Sequence, residues 1–125
     1  MKRSQKISDL TIEQLLALYA EVGIAQNAAE RKGQIARFNR LADSNSKIIK
    51  ELMSRPGDQR LALLQLYNHP DIQVRANAAR DTWDVAQVES RRKLEELADS
   101  KWYPQAGEAG MNLSILEGKY EKKKV

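Results

Sequence analysis

Few side chains in this chain could do chemistry, and their spacing does not suit catalysis. His69 is the one histidine and directly precedes Pro70 at a predicted helix end. With only Asp71 beside it, it reads as an imidazole meeting terminal carbonyls, not as a base or metal ligand. Absence of cysteine excludes disulfides, thiolate metal sites and thiol nucleophiles. No Ser or Thr stands in a His–Asp relay, and no glycine-rich loop opens a helix to cradle phosphate. The sequence thus predicts no catalytic residue, no cofactor and no metal. A polar strip offers a different chemistry: Arg80, Asp81 and Asp84, with Asn77 a further candidate, on the outward side of one helix, where Arg80 and Asp84 stand four residues apart. It reads either as a solvated, salt-bridged face or as a surface that meets a partner. Trp83 beside it, and Trp102 with Tyr103 in the next break, read as inter-helix packing or as anchors of that surface.

Helices must position these groups. Ile12, Leu15, Leu16, Tyr19 and Val22 recur at helical spacing, and Thr11 with Gln14 has the form of a capping box. Either Gly23 or Gly33 could end this first helix. A second runs from Ile35 through Phe38, Leu41, Ile48 and Leu52, must stop before Pro56, and carries Asn45 in its apolar row as a buried hydrogen bonder or a kink. After the Pro56-Gly57 turn, Asp58 is placed to cap a third helix, Leu61 to Tyr67, apolar nearly all round and so expected to be buried on several sides. Asp71 caps a fourth with Val74, Ala78, Ala79, Thr82 and Val85 inward; a fifth holds Val88, Leu94, Leu97 and Ala98. Pro104 opens a sixth, with Ala106, Ala109, Gly110, Leu113 and Leu116 on one face. A shift of 31 residues lays Ala109-Gly110 on Ala78-Ala79 and Leu94 and Leu97 on Leu63 and Leu66, which reads as a repeated helical hairpin.

Composition agrees. The chain has 125 residues, 42% of them apolar, with only 1 Phe, 4 Tyr and 2 Trp, which favours one all-α domain over an all-β fold. The net charge of +4 sits at the ends. Lys2, Arg3 and Lys6 lead the chain, and Lys119, Lys122, Lys123 and Lys124 outnumber Glu117 and Glu121 at its end. Residues 7 to 116 carry a net charge of −1, and only Arg91, Arg92 and Lys93 cluster there. That body lacks the basic track that phosphate binding requires. The division expected is a flexible basic N-terminus (1–8), one helical domain (9–118) and a Lys-rich C-terminal tail (119–125). The basic start is followed by no apolar run of signal-peptide or membrane-spanning length, so a cytoplasmic protein is expected.

Pro70-Asp71, Val74-Arg75 and Ala78-Ala79 together resemble the signature of HEAT repeats, with Asp71 able to cap its helix and pair with Arg75. Gln105 and Ala106 stand where the next repeat would carry Val-Arg, so that repeat departs from the pattern. As a whole the chain is similar to a small bacterial family of uncharacterised HEAT-like helical-repeat proteins, particularly across Arg60 to Asn77 and Ser100 to Met111. The resemblance implies an all-α fold of about six helices, arranged as antiparallel hairpins in a short HEAT-like right-handed superhelix. It implies no activity.

The function expected is a non-catalytic protein-interaction module, adaptor-like or toxin-immunity-like. Its partner would be met by Asn77, Arg80, Asp81, Trp83, Asp84 and Trp102. The alternative is a nucleic-acid-binding protein using the basic tails and a HEAT-like surface. The Trp83-Asp84 pair suits base handling, but a basic channel is lacking. The open end faces of a short array leave room for a homo-oligomer.

Overall fold

The computed structural model describes residues 6–124, with side chains described as far as residue 118. Thr11 starts the first helix as expected. Its hydroxyl accepts from the Gln14 amide at 3.1 Å while the Gln14 side chain accepts from the Thr11 amide at 2.9 Å, so two first-turn donors are satisfied reciprocally. Helix α1 (Ile12–Arg31) passes straight through Gly23 and ends before Gly33, whose φ of 69° reverses the chain into α2 (Ile35–Ser54). Gly23 serves a different purpose. A Cβ there would lie 2.8 Å from Val74 Cγ2, so its absence lets α1 lie against the helix that carries Val74.

Pro56 stops α2 where predicted. Arg55, just before it, donates to the carbonyls of Leu10 (2.8 Å) and Ile7 (3.4 Å), tying the 3-10 turn Ile7–Asp9 to the end of α2. Residues 6 to 8 of the expected flexible N-terminus are therefore attached; residues 1 to 5 lie outside the described ones. Asp58 caps the next segment by accepting from the Arg60 amide. That segment, Gln59–Leu66, is a 3-10 helix and not the α-helix expected. It spans eight residues between two turns, too short for an α-helix to hold by itself, and the tighter winding brings Leu63 and Leu66 onto one face. Only Leu63 is buried and Leu61 is half exposed, so the expected burial on several sides fails.

Helix α3 (Ile72–Asp81) has Asp71 as its cap, with Oδ1 accepting from the amides of Gln73 (2.8 Å) and Val74 (3.2 Å). Seven of its ten residues are buried. A helix this short is marginal alone, and it stands because α1, the 3-10 segment, α4 (Gln87–Asp99) and α5 (Gln105–Lys124) all pack on it. Helices α1 with α2, and α4 with α5, form antiparallel hairpins. Among the described residues no strand occurs, and the chain is all-α. The backbone of α5 continues as helix through the segment expected to be a separate tail, to Lys124.

The core has two halves that meet at α3. Leu15, Leu16, Tyr19, Ile48, Leu52, Leu63 and Ala78 fill one, and Ile72, Ala76, Ala79, Trp83, Leu94, Leu97 and Ala109 fill the other. In a regular stack of hairpins the second helices would adjoin. Here α3 and α5 do, but it is α1, not α2, that packs on α3. Val88, grouped in the sequence with Leu94, Leu97 and Ala98 on this helix, is 65% exposed. The first turn of α4 turns Ser90 inward instead, where its hydroxyl donates to the Ala79 carbonyl at 2.6 Å.

Candidate functional site

The predicted partner strip divides when it folds. Asn77 is buried at 1% exposure, because α1 and α5 close over the side of α3 that its polarity marked as outward. A chain of amides crosses there. Gln26 Oε1 accepts from Asn77 Nδ2 (2.8 Å) and Asn45 Nδ2 (3.4 Å), Asn77 Oδ1 accepts from Gln73 Nε2 (2.9 Å), and Gln73 Oε1 accepts from Gln105 Nε2 (3.1 Å). All five are buried. Asn45 is thus a buried hydrogen bonder, with its Oδ1 left without a partner at the end of the chain. Buried amides joined in this way fix the register of the helices that carry them.

Asp81 is likewise committed to the interior. Arg80 grips it with Nε (2.9 Å) and Nη2 (3.1 Å), and the Tyr19 hydroxyl donates to Oδ2 at 2.5 Å. Burial and the Asp81 charge push the Tyr19 hydroxyl well above its ordinary pKa. Burial also works against the Arg80 charge, but Asp81 overrides it and holds the guanidinium above its usual value. Asp84 does not pair with Arg80. It lies beyond the end of α3, highly exposed, with Arg60 Nη1 3.8 Å away. Trp83 is buried in the second half-core with the Arg91 guanidinium 5.1 Å from its ring centroid. Neither Asn77 nor Trp83 can reach a partner.

Trp102 can. It is 66% exposed, and Tyr103 beside it 69%, so neither ring packs between helices. They stand in the five-residue break between α4 and α5, where Ser100 Oγ accepts the Trp102 amide (3.1 Å), Lys101 has φ 62° and the Tyr103-Pro104 peptide is cis. Both rings line a cleft of about 250 Å³ whose opposite walls are Asn27 and Arg31 from the end of α1, Pro70, Asp71 and Arg75 around the start of α3, and buried Gln105.

Three segments far apart in sequence build this cleft, and its polar groups are unequally occupied. Asp71 is spent: one oxygen caps α3 and the other accepts from Asn27 Nδ2 at 3.2 Å. Arg75 therefore does not pair with it as expected. Its Nη1 turns back to the carbonyls of His69 (2.7 Å) and Pro70 (3.2 Å). His69 Nδ1 accepts the Asp71 amide at 3.0 Å, so the imidazole meets an N–H and not the carbonyls predicted for it. Among the described residues neither Arg31 nor Arg75 has a carboxylate partner. The cleft thus offers two guanidinium groups and two exposed rings against one carboxylate already in use. Further along α5, half-buried Glu108 is held above the usual carboxylate range, first by burial and then by the Glu30 charge, with Arg80 acting in the opposite direction. No group of His, Asp or Glu among the described residues could hold a metal ion. No helix among them is long and apolar enough to cross a membrane.

A family model described as a domain of unknown function, DUF2019, matches residues 13–117. The chain belongs to the DUF2019 family. The match spans α1, α3 and the α4–α5 break, and so every wall of the cleft in this DUF2019 domain. The crystal structure of the protein RPA1889 from Rhodopseudomonas palustris CGA009 is similar to it at 45% identity, with a TM-score of 0.88 over 92% of this chain and 95% of that one. No curated protein matches the DUF2019 chain.

Proposed function

We propose that this protein is a non-catalytic interaction module that binds another protein at the Trp102–Tyr103 cleft. The observation that carries the reading is the exposure of two adjacent aromatic rings beside Arg31 and Arg75. Tryptophan, tyrosine and arginine dominate the energetics of protein interfaces: the rings bury a large area at low entropic cost, and the guanidinium forms charge-assisted hydrogen bonds. Held by Ser100 and by the Ala106 amide, which donates to the Trp102 carbonyl at 2.8 Å, the break presents the rings ready for contact. An adaptor or toxin-neutralising role in a bacterial cytoplasm suits such a module. A HEAT-like reading of the paired helices is supported by the Asp71 cap, inward Val74 and close-packed Ala78 and Ala79, while the place of α1 beside α3 makes the first hairpin irregular.

The test is a native pull-down with the folded protein, wild type against Trp102→Ala and Asp84→Lys. Retention of one protein by the wild type and by Asp84→Lys, and its loss from Trp102→Ala, is the expected result. Retention by all three, or retention of nucleic acid alone, contradicts it.

A further inference from the structure

Resting on that reading of the cleft, we infer that the partner presents an amphipathic helix with an acidic end, its carboxylates entering between Arg31 and Arg75 and its apolar side lying along α5. The cleft does not stop at Tyr103. A Cβ at Gly107 would be 3.8 Å from the Tyr103 ring, so the ring lies over the first turn of α5. Four and eight residues beyond Gly107 on that face are Met111 and Ile115, 64% and 56% exposed. Apolar surface therefore continues from the cleft for about 12 Å along the helix. A facing helix with apolar residues three or four apart matches that length.

Charge selects which helix. The cleft holds two guanidinium groups with no carboxylate partner among the described residues, and Asp71 is already occupied, so the complementary group is an acid. A second copy of this chain does not supply it. Antiparallel pairing of α5 with its copy would bring the copy's lysine-rich C-terminal turns to Arg31 and Arg75, and parallel pairing would bring two arginine-lined clefts together. Both set like charges against each other.

A phage-displayed library of random peptides, each long enough for four helical turns, tests this when selected on the full-length folded protein. The enriched peptides should carry an acidic cluster at one end and apolar residues at i, i+4 spacing in the remainder. Their affinity should fall tenfold or more with Arg31→Glu and again with Met111→Asp; both positions are exposed, and circular dichroism checks that each variant is folded. Peptides that depend on Trp102 but lack the acidic end, or that ignore either substitution, overturn the inference and leave the cleft reading standing. A library that yields nothing dependent on Trp102 overturns both.

Discussion

Replacing Asn77 by alanine should cost stability and leave the binding surface intact, the reverse of what its polar position on α3 suggests. The substitution removes two hydrogen bonds, the 2.8 Å donation to Gln26 and the 2.9 Å acceptance from Gln73. Gln26 Oε1 keeps only its 3.4 Å contact with Asn45, and Gln73 Nε2 is left as a buried donor without an acceptor. Two neutral bonds are worth about 1 kcal/mol each and a buried orphan adds about 1–3, so a total of about 3–5 kcal/mol is expected. That is a large share of the roughly 5–15 kcal/mol that holds a domain together. With a urea slope of about 1–3 kcal/mol per molar, the midpoint should fall by at least about 1 M at unchanged slope. A loss below about 0.5 kcal/mol at unchanged slope, the level of an ordinary surface change, would refute the claim that the amide chain locks α1, α3 and α5.

Gly23→Ala should destabilise the protein by up to about 2 kcal/mol, because overpacking against Val74 costs about 1–3 and helix propensity returns about 1; a gain in melting temperature would show that α1 can move away from α3. Thr11→Ala should cost about 1 kcal/mol by opening the capping box, checked by the same urea titration, and an unchanged midpoint would count against it. Glu108 has a folded pKa above its unfolded one, so its contribution is intact below about pH 4 and lost as pH rises through the folded value. Glu108→Gln should accordingly gain melting temperature relative to wild type between pH 4 and pH 7, and a difference independent of pH would contradict the assignment.

Local chemistry was legible in the sequence, and chemistry between segments was not. Thr11, Asp58 and Asp71 cap where their spacing predicts because a capping side chain meets amides only two or three residues away. Pro56 and Gly33 act through their own backbone. The 3-10 segment escaped because an apolar run of that length carries no period able to separate two kinds of helix. Asn77 was misplaced for a plainer reason: polarity on a helix face signals solvent unless other polar groups cover it, and Gln26 lies 51 residues away. The candidate site was only partly visible. Trp102 and Tyr103 stand together in the sequence as possible anchors, but Arg31 and Arg75 join them only when three distant segments converge, and the local pairing expected for Arg75 with Asp71 points elsewhere. Two adjacent rings in a break ending in proline are the nearest signal in the sequence, and that pattern is equally compatible with packing until the neighbours are known.

Everything proposed about function depends on the cleft beside Trp102 being where a protein partner sits. The most direct measurement is the dissociation constant of the purified captured protein for wild type and for Trp102→Ala, by isothermal titration calorimetry at equal folded concentration. Stoichiometric binding by the wild type, weakened about 30-fold in Trp102→Ala, is the expected result, the mark of an interface anchor worth about 2 kcal/mol. Equal affinity for both proteins would contradict it.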